Sequence, residues 1–469
     1  MKKTKIVATY GPSVASPEKV RKLVNAGVNL FRVNCSHGTK PDFLAAVKVI
    51  REGTRRAKYP VGLIFDIAGL KLRLERFEGQ IPIVRGQQLI LTSGKSDVKH
   101  GIIGVNHPGV VESVEKGQRL FIDDGQLLFE ILSVDGKRIK VKAVNSGTLL
   151  PAKGINLPDT KINIPTITKK DKEDIRTAVE AGADFIALSF VRSSADIAEA
   201  RRLISRANGR LRIIAKLEKR EAIDALDEIM VAADGVMIAR GDLGVELPPA
   251  QLPRTQKRII ELANRYHKPV IVATQMLESM RFSPRATRAE INDVASAVFD
   301  YADAVMLSAE TASGEYPEEA VATMSAVLME TEPVSPPHPN TLQTLIFRSA
   351  TAHAIAEAVS HANVCCPTNV ICTFTTSGYT AEMISNLFPS QIIVALTPDK
   401  MVLRQLTLHR SVYPVLIKQP RSFEEMLSVV DKTVQALNVA QKGELVVITG
   451  GTPFGSTVPT NFLKYHQVH

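Results

Sequence analysis

Residues 213–222 read IIAKLEKREA, an apolar run that turns abruptly into charge. If Ile213–Leu217 forms a strand, Lys216 and Glu218 share a face, because side chains alternate along a strand. A buried strand end carries that pair only where something polar lies opposite. The stretches NAGVNLFRVNCS, EAGADFIALSFV, VAADGVMIARGD and DYADAVMLSAET repeat one pattern: a small-residue helix ending, a short apolar strand, then polar residues. Charged amphipathic stretches such as DKEDIRTAVEAGA and LPRTQKRIIELANRYH lie between such units. This alternation predicts a parallel sheet covered by helices.

Eight candidate strands follow: TKIVATY, NLFRVNC, VGLIFDI, DFIALSF, RIIAKLE, GVMIAR, PVIVATQ and AVMLSAE. Eight units predict an α/β fold, a closed (β/α)8 TIM barrel over residues 1–71 and 160–335. In that fold, residues at the strand C-termini build the active site. Lys216 and Glu218 are therefore expected at the barrel mouth.

Residues 72–159 have another texture, with short alternating runs and the hairpin signals DDG and VDGKR. They predict a small inserted β-barrel domain placed as a lid. After the Pro-rich ETEPVSPPHPNT, residues 341–469 alternate again, with NVICTFTTSG, QIIVALTP and ELVVITGG as strands of a C-terminal α/β domain.

Composition narrows the function. The 469 residues are 45% hydrophobic and 23% charged, ordinary for a soluble globular protein. The formal net charge is +10, but the basic residues are scattered and Trp is absent, so neither a nucleic-acid arm nor a stacking platform is expected. Scattered positive charge suits anionic metabolites. Cys35, Cys365, Cys366 and Cys372 have no metal-type spacing, and a reducing, cytoplasmic setting is expected. No signal peptide or membrane-length apolar run is visible.

The strand ends display Arg32, Asn34 and Ser36, then Asp66, Lys216 and Glu218, Gly241 and Asp242, Thr274, and finally Ser308 and Glu310. Glu218 and Asp242 are carboxylates without a Cys or His companion, a donor type that suits Mg²⁺ or Mn²⁺. Lys216 and Arg32 add fixed positive charge, which together with an ion would stabilise a phosphate or an enolate. In ARGDLGVELP a helical turn is expected after Gly241, with free N–H groups for a carboxylate.

At these residues the chain resembles the pyruvate kinase family. IIAKLEKREAIDALDEI resembles its signature segment, and RVNCSHG, VMIARGDLGVELP, KPVIVATQMLESM and ATRAEINDVASAVFDYADAVMLSAETASGEYPEEAV resemble its other blocks in order. The resemblance implies phosphoryl transfer from phosphoenolpyruvate to ADP, giving pyruvate and ATP, and a homotetramer. It implies that Lys216 stabilises the migrating phosphoryl group and that Arg32 contacts the substrate phosphate. Glu218 and Asp242 match the metal ligands, and Gly241, Asp242 and Thr274 the substrate-carboxylate site. Asn34, Cys35, Ser36, His37, Arg73 and Lys153 match nucleotide-contacting positions. Thr274 and Ser308 are candidates to organise the water that protonates the enolate.

The chain also departs from the family pattern. Asn34, Ser36, Asp66 and Ile67 match its potassium site, but Ile67 has no hydroxyl and Lys71 stands where potassium-requiring members have glutamate. We therefore expect K⁺ to be dispensable, with the Lys71 ammonium in its place. Cys35 replaces an aromatic residue, Ala286 a proline and Ala309 a frequent glycine. Thr375, Thr376, Ser377, Gly378 and Thr380 form a hydroxyl-rich loop between a strand and a helix, expected to hold the phosphate of an effector. Tyr379 stands there where an arginine is common.

Two rival readings remain. A Mg²⁺-dependent aldolase or lyase of the phosphoenolpyruvate/pyruvate barrel type would share Glu218 and Asp242 but has no need of the lid, Arg73 or Lys153. A non-catalytic basic binding protein has no need of the whole set Arg32, Lys216, Glu218, Asp242 and Thr274.

Overall fold

The structure is a computed structural model and describes residues 1–36, 38–162, 164–336, 349–453 and 458–469. Three strands open the barrel: β1 (Lys5–Thr9), β2 (Leu30–Asn34) and β3 (Gly62–Ile67). The inserted domain contributes β4 (Ile81–Ile83), β5 (Gln88–Thr92), β6 (Ile102–Gly104), β7 (Arg119–Ile122), β8 (Leu127–Asp135), β9 (Arg138–Ala143), β10 (Gly147–Leu149) and β11 (Ile155–Asn156). The barrel resumes with β12 (Phe185–Leu188), β13 (Arg212–Leu217), β14 (Gly235–Ala239), β15 (Val270–Ala273) and β16 (Ala304–Leu307). The C-terminal domain holds β17 (Val370–Phe374), β18 (Ile392–Thr397), β19 (Val412–Leu416), β20 (Leu445–Gly450) and β21 (Phe462–Gln467).

The eight expected strands close into one parallel barrel, in the order β1-β16-β15-β14-β13-β12-β3-β2. Their alternation sorts the core into two layers. Val7, Leu30, Ile64, Phe185, Ala187, Ile214, Met237, Ile271, Ala304 and Met306 fill the interior. The residues between them, such as Ala8, Phe31, Phe65, Ile213 and Ala215, pack beneath the helices. Four of those helices begin with a capping box, Thr39/Asp42, Thr168/Asp171, Ser193/Asp196 and Thr287/Glu290, so each has a sharp start.

The insert is a six-stranded sheet, β11-β7-β8-β9-β5-β6, with a two-stranded β10-β4 ribbon around its own apolar core. The C-terminal sheet runs β19-β18-β17-β20-β21. It has two edge strands beyond those expected, and β21 is antiparallel to β20. This domain closes the barrel floor. Leu408 joins the interior cluster, Arg404 Nε reaches Asp184 at 2.6 Å, and Lys5 Nζ donates to Val412 O at 2.6 Å. The expected domain start at residue 341 lies outside the described residues.

Candidate active site

The inward parity of the barrel builds the site. Two residues beyond the interior residues Val7, Leu30, Ile64, Ala187, Ile214 and Met306 stand Thr9, Arg32, Asp66, Ser189, Lys216 and Ser308. One polar layer therefore caps the apolar layer, and Glu218 follows Lys216 on the same side.

Lys216 is the hub of that layer. Its ammonium lies 2.8 Å from Glu218 Oε1 and 3.1 Å from Asp66 Oδ1, and donates to Ser189 Oγ at 2.7 Å. Burial alone would push the lysine pKa down, but Asp66 and Glu218 outweigh it and hold it above the ordinary range. Arg32 Nε donates to Asp66 Oδ2 at 2.6 Å, and its Nη1 to Thr9 Oγ1 at 3.1 Å. Burial would push Asp66 up, but Arg32 and Lys216 hold its carboxyl below the usual range. Thr9 and Ser189 escaped the sequence reading. A lone hydroxyl is a weak signal, although the strand-end rule applied to all eight strands would have found both.

Burial and the Asp242 charge push Glu218 up, against the downward pull of Lys216. The second Glu218 oxygen, Oε2, accepts from Phe190 N at 2.8 Å. Phe190 has φ 54°, a left-handed conformation costly for a bulky side chain. Asp242 lies on the helix Arg240–Glu246, with Lys71 Nζ 3.6 Å from its Oδ1.

Burial and the Asp242 charge raise the proton affinity of Glu218, so positive charge beside it is favoured, and carboxylate oxygens suit a hard divalent ion. Among the described residues no cluster of three or more His, Cys, Asp or Glu is placed to hold a metal. Glu218 and Asp242 are the two carboxylates that could hold such an ion, with water and substrate in its remaining positions.

Thr274 has φ 68° and Gln275 φ 54°, so two left-handed residues follow β15 directly. Arg240 holds them: its Nη2 donates to Thr274 O at 2.6 Å and Gln275 O at 3.1 Å, while Nη1 pairs with Asp293 at 2.7 Å. Thr274 Oγ1 accepts from Gly241 N at 2.9 Å. The helix thus begins at Arg240, two residues earlier than expected, and the Gly241 N–H is already engaged rather than free, because Thr274 caps it.

The other expected residues divide. Asn34 Oδ1 accepts from Ser36 N at 3.1 Å beside Asp66. The Cys35 side chain is buried, its thiol pushed up by burial, so its sulfur faces the core rather than the cleft. His37 lies outside the described residues. Arg73 and Lys153 meet on the two chains entering and leaving the insert. Arg73 Nη1 donates to Ala152 O at 3.1 Å, and Lys153 Nζ pairs with Asp123 at 2.8 Å. Ile67 is buried in the helix-facing layer. Ser308 N donates to Glu310 Oε2 at 2.7 Å.

In the distant loop, Thr375 Oγ1 accepts from Gly378 N at 2.9 Å, and Thr380 Oγ1 lies 2.5 Å from Thr460 Oγ1. Thr376 and Ser377 are exposed.

A (β/α)8 barrel whose mouth gathers an arginine, a lysine and three carboxylates beside an inserted β domain belongs with enzymes that act on anionic, metal-associated substrates. Comparisons narrow this. The family model described as pyruvate kinase, barrel domain, matches residues 1–321, and that described as pyruvate kinase, alpha/beta domain, matches residues 353–466. The pyruvate kinase of Sporosarcina psychrophila is 39% identical over 484 residues, covering 100% of this chain and 81% of that protein. That of Staphylococcus aureus strain MRSA252 is 38% identical over 473 residues, with the same coverages. A crystal structure of a pyruvate kinase from Cryptosporidium parvum superposes with TM-score 0.91 at 34% identity, covering 100% of this chain and 96% of that one. The chain belongs to the pyruvate kinase family, a family of phosphotransferases that depend on a divalent metal.

Proposed function

We propose that this protein transfers the phosphoryl group of phosphoenolpyruvate to ADP, forming pyruvate and ATP as the last step of glycolysis. The observation that carries this reading is the polar layer centred on Lys216, with Asp66 and Glu218 paired to one buried ammonium and Arg32 paired to Asp66.

Arg32 meets the substrate phosphate and Lys216 the transferring phosphoryl group, whose charge is spread over its oxygens. Glu218 and Asp242 hold Mg²⁺ or Mn²⁺, which when bound supplies positive charge to phosphate and enolate oxygens. Gly241, Asp242 and Thr274 take the substrate carboxylate, which replaces the bond between Gly241 N and Thr274 Oγ1. Once the phosphoryl group has moved to ADP, the enolate carbon takes a proton from a water organised by Thr274 and Ser308. Asn34, Ser36, His37, Arg73 and Lys153 contact the nucleotide, and residue 35 does so through its backbone. Residues 72–159 close as a lid and exclude water.

Potassium is not required in this reading. Lys71 reaches Asp242 from a partly solvent-exposed position, and its ammonium supplies the positive charge. Residues 341–469 form a regulatory domain whose loop Thr375–Thr380 takes a phosphorylated effector. The enzyme is a cytoplasmic homotetramer with no nucleic-acid or membrane partner, and no described helix is long and apolar enough to cross a membrane.

The test is a coupled lactate dehydrogenase assay with phosphoenolpyruvate, ADP and Mg²⁺. Pyruvate release that depends on ADP supports the reading. Release without ADP would favour a lyase and overturn it.

A further inference from the structure

The helix Arg240–Glu246 carries Asp242 in its first turn and ends at Glu246, a buried carboxylate with no part in the chemistry above. Glu246 Oε1 accepts two hydrogen bonds. One comes from Lys219 Nζ at 2.6 Å, and Lys219 directly follows Glu218. The other comes from Asn156 Nδ2 at 3.0 Å, and Asn156 lies in β11, the last strand of the inserted domain. Glu246 Oε2 is buried without a hydrogen-bond partner. The insert also approaches the helix at Gly125, where an added Cβ would lie 3.7 Å from Val245 Cγ1. The lid thus rests on the last turn of a helix whose first turn holds Asp242.

We propose that Glu246 is a positioning residue that joins the lid to both metal-binding carboxylates, through Asn156 on the lid side and Lys219 on the metal side. The proposal rests on reading Glu218 and Asp242 as metal ligands. Glu246 neutralises Lys219, and so keeps a further ammonium, beyond Lys216 at Glu218 and Lys71 at Asp242, from competing for the two carboxylates. A half-satisfied buried carboxylate thus bears the lid contact on one side and holds Lys219 away from the metal-binding carboxylates on the other. Buried charge left without its partner is costly, so the pair is sensitive to either change.

Two readouts separate this from a merely structural role. Mn²⁺ binding to the free protein is measured by the electron paramagnetic resonance of unbound Mn²⁺, and lid seating by hydrogen exchange of the β11 amides. Glu246→Gln keeps the acceptor for Asn156 and strands Lys219, so the Mn²⁺ dissociation constant should rise five- to tenfold. The double variant Glu246→Gln with Lys219→Met should return it to within twofold of wild type. Asn156→Ala should speed β11 exchange and raise the ADP KM three- to tenfold, while Mn²⁺ affinity stays within twofold. Equal Mn²⁺ loss in the single and double variants, or unchanged exchange in Asn156→Ala, would overturn the proposal. Asp242→Asn is the control for the underlying reading: if it binds Mn²⁺ as wild type does, the ligand assignment itself fails.

Discussion

Replacing Lys216 with methionine keeps the length of the side chain and removes its charge. An ammonium about 4 Å from a phosphoryl oxygen contributes on the order of 4 kcal/mol at an effective dielectric near 20. At roughly 1.4 kcal/mol per tenfold, that corresponds to a fall in kcat of about 10³-fold. The same change strands two buried carboxylates, since Lys216 lies 3.1 Å from Asp66 and 2.8 Å from Glu218. Breaking a buried pair costs about 3–5 kcal/mol of stability, so the variant should also melt earlier. Activity is therefore followed by the coupled lactate dehydrogenase assay well below the melting transition, with circular dichroism confirming the fold. Mn²⁺ binding should change far less than kcat, because Glu218 and Asp242 remain. A folded variant that keeps a tenth of wild-type kcat would show that the ammonium does not meet the transferring group.

Three further outcomes follow. In tetramethylammonium buffer at constant ionic strength, added KCl should activate less than tenfold; larger activation would show that Lys71 does not replace the ion. A sugar phosphate or nucleoside monophosphate should shift the phosphoenolpyruvate half-saturation or protect against heat, and Thr376→Ala should weaken that response; silence from every such compound rejects the effector loop. His409 is held by burial at a pKa of about 4, below its ordinary 6.5. A depressed histidine pKa favours the neutral folded form, so its contribution is complete above pH 6.5 and fades as pH falls toward 4. Between pH 7 and pH 5 this amounts to about 2 kcal/mol, so in urea melts His409→Gln should lose less stability than wild type over that range. Equal losses would remove His409 from the acid limb.

The barrel was legible because each unit repeats one sentence of sequence: helix ending, apolar strand, polar end. The inward positions followed from period two, which is why Arg32, Asp66, Lys216 and Ser308 emerged from spacing alone. The two extra C-terminal strands did not. β19 contains Pro414, which demotes a run as a strand, yet β19 is a sheet edge, where a proline costs no ladder bond. β21 reads FLKYHQ, and its polar residues obscure the pattern of an exposed edge. Contacts between distant segments were invisible for a different reason. Asn156 and Glu246 stand 90 residues apart, and neither sits in a motif that points to the other. The strained Phe190 and the Arg240 clamp on Thr274 are likewise products of tertiary packing rather than of local pattern.

Leu408 has a consequence for how the molecule comes into being. Every other interior residue of the barrel has been synthesised by Met306, yet the plug in its floor is made about a hundred residues later. While the chain is still on the ribosome, the barrel's interior cluster lacks the member that the C-terminal domain supplies. The first-made half of the protein thus waits on the last-made domain. A barrel cut away from residues 349–469 is not a smaller enzyme but an unfinished one, with an apolar floor turned toward water.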